Sequence, residues 1–136
     1  VLAKWREIGL LAQSDGAMDI EQIRAYCLSK PHATEDFPFD ETTLVFRVMN
    51  KIFASIGLDN VDWFCLKCDP EYAIELREHY TGITGAWHWN KKYWNQIAIT
   101  HGDVPDALIR SLIDHSYNEV VKKLPRKLRD QLKEEE

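Results

Sequence analysis

Apolar and polar residues follow two different periods along this chain, and each period predicts its own elements. Alternation by twos marks TLVFRVM (43–49), KIFASIGL (51–58) and VDWFCLKC (61–68) as strands, the first two joined at Asn50–Lys51 as a hairpin. In the third, alternation puts Phe64, Leu66 and Cys68 on one face, toward a core. Trp63, Cys65 and Lys67 fall on the other. The helical period appears after Pro105, where Leu108, Ile109, Leu112, Ile113, Tyr117, Val120 and Val121 form one stripe. Asp19 with Gln22 three residues on predicts the start of a helix that ends before Pro31. Asp69-Pro70-Glu71 predicts another, running to about Tyr80. A second hairpin is expected from residues 83–89 and 94–100, and Leu124, Leu128 and Leu132 around Pro125 predict a short last helix. The order implies an α+β domain, an antiparallel sheet with helices packed on one face. Phe64, Leu66, Leu112, Ile113 and Tyr117 should then be buried together.

Residues 1–17 stand outside this pattern. A helix fits Leu2 to Ala12, but SDGA breaks it, and Met18 has the look of a natural first residue. The expectation is an extension over 1–17 and a single domain over 18–136. A hydrophobic content of 45% and a charged content of 29% suit one domain with a core. No apolar run approaches the roughly eighteen residues of a membrane span, residues 1–17 lack the layout of a signal peptide, and three cysteines make no extracellular framework. These features predict a cytoplasmic protein with no membrane partner.

The formal net charge is −5, whereas phosphate neutralisation usually gives a DNA binder a basic balance. The charge is uneven, however. Acids dominate residues 19–41 and bases dominate residues 120–133, the latter reading most simply as a solvated helix face. Cys65-Leu66-Lys67-Cys68 has CxxC spacing, but in a strand an offset of three sends the two thiols to opposite faces, with Cα atoms roughly 10 Å apart. That is too far for a disulfide, and no second pair completes a zinc site. The acids of TEDFPFDE (34–41) read as a solvated loop, and His115 as the surface partner of Glu119. With no phosphate loop and no nucleophile–base pair, neither enzyme activity nor a metal or cofactor is expected. The stretch with chemical content is GAWHWNKKYWN (85–95), whose rings, amides and lysines are suited to stacking on bases and holding phosphates, or to sealing the rim of a sheet.

Four stretches together carry a family resemblance: MDIEQIRAYCLSKPHATEDFPFDETTLVFRVMNKIFA, LKCDPEYAIELREHY, GAWHWNKKYWN and PDALIRSLIDHSYNEVVKKLPRKLR. With TEDFPF, KCDP, HxNKxxW and DHSY in this order, the chain from Met18 to Leu132 resembles the MmcQ/YjbR family of small bacterial proteins. The resemblance implies a CyaY-like α+β fold and a DNA-binding role through a double-wing arrangement of strands and loops. It points to Lys67, His88, Asn90, Lys91, Lys92 and Trp94 as the surface. Trp87 and Trp89 depart from the usual hairpin by adding bulk.

Two functional readings follow. In the first, Lys67, Lys91 and Lys92 contact phosphates, His88 and Asn90 donate hydrogen bonds, and Trp63 or Trp89 stacks on exposed bases of DNA or a single strand. In the second, the exposed aromatic sheet face anchors another protein. Trp94, with Trp87 or Trp89, is expected to pack under the helices, and Asn90-Lys91 to make a turn.

Overall fold

The computed structural model describes residues 18–59, 61–99 and 102–134. The extension over 1–17 and His101 therefore lie outside the described residues. Helix α1 (Ile20–Leu28) begins at a complete capping box: the Asp19 carboxylate accepts from the Gln22 amide, and the Gln22 side chain accepts from the Asp19 amide. Six antiparallel strands follow among the described residues: β1 (Ala33–Asp36), β2 (Thr43–Val48), β3 (Lys51–Gly57), β4 (Trp63–Lys67), β5 (Ile83–Gly85) and β6 (Trp94–Ala98). They form one sheet in the order β1-β2-β3-β4-β6-β5. Helix α2 (Pro70–His79) lies between β4 and β5, and α3 (Asp106–Val121) and α4 (Arg126–Glu134) follow β6.

The helices share one face of the sheet. Phe46, Ala54, Ile56, Phe64, Leu66 and Ile97 face them and join Ile23, Leu76, Ile113 and Tyr117 in a single buried cluster. The five residues expected to be buried together all belong to it. Val45, Trp94 and Ala98 are equally buried but lie outside that cluster, because they project from the opposite face.

The structure corrects several expectations. The β2–β3 turn residues are Met49 and Asn50, both with left-handed φ (47° and 69°), the pairing that a two-residue hairpin requires. The second hairpin is shorter than expected. Its strands end at Gly85 and begin again at Trp94, so residues 86–93 are a loop. TEDFPFDE is not simply a solvated loop. Residues 34–36 lie in edge strand β1, where Glu35 pairs with Arg24 and Asp36 with Arg47 at 2.9 Å. His115 does not pair with Glu119. Its Nε2 accepts the Asp69 amide at 3.2 Å and its ring meets Tyr72 edge-on, while Glu119 is buried and pairs with Lys122.

The four consecutive residues Asp114-His115-Ser116-Tyr117 are the clamp of this fold. Asp114 accepts from Tyr26 Oη at 2.8 Å and from Lys30. Ser116 accepts the Lys67 amide at 2.9 Å and donates to the Phe53 carbonyl. Tyr117 Oη donates to the Pro31 carbonyl at 2.7 Å. One stretch of α3 thus ties down α1, the loop before β1, strands β3 and β4 and the start of α2. The Ser116 contact has a local cause. The β2–β3 register shifts between Phe46 and Arg47, opposite Phe53, and β3–β4 pairing covers only residues 54–56 of β3. The serine hydroxyl bridges the ladder just beyond that stretch.

All three cysteines are free thiols. Burial pushes Cys65 up to about 11, against a weaker downward effect of its bond to Ser55, and Cys68 up to about 12, helped by Asp69. Near pH 8, iodoacetamide should label Cys65 about a hundredfold and Cys68 about a thousandfold more slowly than a free thiol, because only the thiolate reacts. Fast labelling in the folded protein would show the thiols to be activated. The same shifts act on stability. The folded state holds these protons longer, so stability falls as pH rises above the ordinary thiol range toward 11.

Candidate functional site

The helix-free face of the sheet is a groove rather than a plain. Register places Ser55, Cys65 and Gln96 side by side along its floor. Gly57 adds no side chain to it. Phe39 and Asp40, before β2, and His88 and Trp89, from the β5–β6 loop, line it as well. Its volume is about 540 Å³. Trp63 lines it as the strand alternation requires.

The β5–β6 loop is built, not slack. Asn90 Oδ1 accepts the Lys92 amide at 3.0 Å and Asn90 O accepts the Tyr93 amide at 3.0 Å, so Asn90 forms the turn. Arg77 of α2 donates Nε to Asn95 Oδ1 at 2.6 Å and Nη2 to the Lys91 carbonyl. The Tyr93 carbonyl accepts the Cys68 amide at 2.7 Å. Trp94 is 7% exposed, yet not beneath the helices as expected. It projects into the groove face beside Lys67 and is covered by Trp89, stacked on it at 4.5 Å. Trp89 also meets Phe39 edge-on at 6.2 Å. Trp87 is left 77% exposed at the loop's tip, next to the exposed His88.

The lysines do not all converge. Lys67 is half-buried at one end of the groove face. Burial lowers its pKa first, then the like charge of Lys123, with Lys51 acting the same way and Glu119 opposing. Lys92 and Lys123 lie over the Tyr93 ring, at 5.5 and 5.2 Å from its centroid. Lys51, Lys67, Lys92 and Lys123, from β3, β4, the β5–β6 loop and the end of α3, thus gather at one end of the molecule. The Lys91 methylenes lie over Gly85, where a Cβ would meet them at 3.3 Å, and Lys91 and Lys92 together line a depression with Pro70, Ile74 and Arg77. The other end of the groove carries Asp40 and Asp59.

Of the residues singled out from sequence, the structure brings Trp63, His88 and Trp89 to the groove, and Lys67 and Lys92 to the lysine cluster. Asn90 shapes the loop. Lys51, Lys123, Tyr93, Phe39, Asp40 and Asp59 were missed. Lys123 and Tyr93 sit inside stretches already marked as basic or aromatic, whereas Phe39, Asp40 and Asp59 reach the groove only through the fold. Among the described residues, no cluster of three His, Cys, Asp or Glu side chains is placed to hold a metal ion, and no helix is long and apolar enough to cross a membrane.

Comparison with known proteins places this architecture. A solved structure from Deinococcus radiodurans, protein DR2400 with a DUF419 domain, superposes with a TM-score of 0.77 at 34% identity, covering 88% of this chain and 91% of that one. A Pseudomonas syringae protein superposes with a TM-score of 0.62 at 27% identity, covering 75% and 98%. Among curated sequences, "Uncharacterized protein YjbR" of Escherichia coli K12 is 31% identical over 113 residues, 82% of this chain and 95% of its own length. "Uncharacterized protein YbdF" of Escherichia coli O157:H7 is 34% identical over 103 residues, 74% and 83%. The YjbR family model matches residues 28–119, a span holding the strands, the aromatic loop and the four-residue clamp of α3, and the chain belongs to the YjbR family.

Proposed function

We propose that this protein is a nucleic-acid-binding module that takes a single strand, with phosphates on the lysine cluster and bases against the tryptophans of the β5–β6 loop. The observation that carries the reading is the gathering of Lys51, Lys67, Lys92 and Lys123 from four elements in a protein of net charge −5. Like charges held together against their own repulsion are stabilised by an anion that meets several at once. Trp89 and the exposed Trp87 offer ring surface beside them, and stacking accepts any base. His88 and Asn90 supply hydrogen bonds at the loop tip. In this reading the protein binds without making or breaking a bond.

The test is a titration of single-stranded and duplex oligonucleotides, followed by tryptophan fluorescence. The expected result is binding at tens of micromolar or tighter at low salt, around the range of non-specific binders. The plot of log affinity against log salt should have a slope of about −2 to −3, from three or four phosphate contacts at roughly 0.7 each for a single strand. No binding at about 100 μM in low salt would retire the reading. One observation favours a second reading, a protein contact: Trp87 and Phe39 leave large apolar surfaces in solvent, 77% and 64% exposed. Binding anchored there would change little with salt.

A further inference from the structure

We propose that the groove is a second site, with a different ligand: an arginine side chain presented by a protein partner. Phe39, Trp63 and Trp89 supply its aromatic surface, and Asp40 and Asp59 supply its charge. Among the described residues, no lysine or arginine lines it. A phosphate entering would meet two carboxylates, whereas a cation meets ring faces and carboxylates together.

Asp40 is fixed for that role. Its Oδ1 accepts the Thr42 and Thr43 amides at 2.9 and 2.6 Å, and its Oδ2 accepts the Thr43 hydroxyl at 3.1 Å. These partners are neutral, so they orient the carboxylate without cancelling its charge. They also hold its pKa below the usual carboxylate range, keeping it ionised well under neutral pH. Arginine suits the groove better than lysine. Its planar, weakly hydrated guanidinium stacks on indole and forks onto a carboxylate, whereas an ammonium keeps its water. Phe39, 64% exposed, would be covered by the backbone that delivers the arginine.

The probe is N-acetyl-arginine methylamide, followed by the indole N–H resonances of Trp63 and Trp89 in the folded protein, with the citrulline analogue as the uncharged isostere. The arginine compound should shift both resonances and saturate in the millimolar range. Citrulline should bind about fivefold more weakly, or worse, as expected when cation–π and carboxylate contacts are lost. The double variant Asp40→Asn, Asp59→Asn should weaken arginine binding by a similar factor. The Asp40→Asn change keeps an amide oxygen as acceptor for the threonine N–H groups, and an unchanged amide spectrum elsewhere would certify the fold. Equal binding of arginine and citrulline, no shift at 50 mM probe (on the order of ten times the affinity expected of one side chain), or indifference to the double variant would each overturn the proposal. Trp89 is shared with the strand site, so Trp63 decides: an oligonucleotide that shifts the Trp63 indole and is displaced by the arginine compound would overturn the proposal too, by putting nucleic acid in the groove. Shifts at the same indoles on simple dilution would replace the partner with a second copy of this chain. A failed oligonucleotide titration leaves this inference standing, since Trp63, Asp40 and Asp59 take no part in the strand site, although Trp89 and His88 border both.

Discussion

The combined variant Lys67→Gln, Lys92→Gln, Lys123→Gln should lose single-strand affinity by about 10- to 100-fold at low salt, and its salt slope should flatten by about two units. Glutamine keeps the first two methylenes of each stem and a polar end, so the change removes charge with a limited loss of packing. The loss should be nearly the same for every oligonucleotide sequence, because phosphates carry none. Lys91→Gln should matter less, since the Lys91 stem is laid over Gly85 and, unlike Lys92 and Lys123, its ammonium does not sit over the Tyr93 ring. The stability of the triple variant is an internal check. Lys67 has its pKa lowered by burial and by Lys123. The unfolded chain therefore binds that proton more readily, and stability rises with pH toward the ordinary lysine range. Removing the crowded charges should leave the melting temperature at neutral pH unchanged or slightly raised. An unchanged salt slope would show that these lysines touch no phosphate. A large fall in melting temperature would show that they hold the fold.

The largest loss of stability is expected at Ser116, outside any binding surface. Ser116→Ala removes a hydroxyl that serves the Phe53 carbonyl and the Lys67 amide at once. Ser116 itself is fully buried, so water does not replace it readily. Leaving two backbone groups poorly paired should cost about 2–3 kcal/mol, which for a chain of this size is roughly 6–10 °C in melting temperature. Urea unfolding should show a lower midpoint with an unchanged slope. A cost below about 0.5 kcal/mol would mean that the strands close the gap and bond directly.

These expectations depend on residues that were legible in the sequence to different degrees. The caps at Asp19 and Asp69 and the alternation in β2, β3 and β4 are local signals, and they survive into the structure within a residue or two. Strand β1 reads as polar loop because what makes ATED a strand is distant: its pairing to β2 and the hold of Arg24 on Glu35. The aromatic loop misleads for a similar reason. Tryptophans at 87, 89 and 94 suggest a continuous hairpin, yet Arg77 grips the Lys91 carbonyl and Trp89 folds back on Trp94. Lys67 and Lys92 could be named from the chain alone. Their companions Lys51 and Lys123 could not, since only the docking of α3 over β3 and β4 brings them near. The DHSY run carries the resemblance to the family, and its residues hold elements of the fold together.

The serine bridge also sets the order in which the molecule can come apart. The Lys67 amide is released only when α3 lifts from the sheet, and the last turn of α3 carries the segment that ends in Lys123. The two charges are therefore assembled by a single cooperative event. No partly opened form in which α3 has left can keep the cluster. An anion that recognises the cluster would then bind the native state and not its openings, so occupancy would protect the whole domain against unfolding and proteolysis. In a cell, the lifetime of such a protein would follow the supply of its ligand.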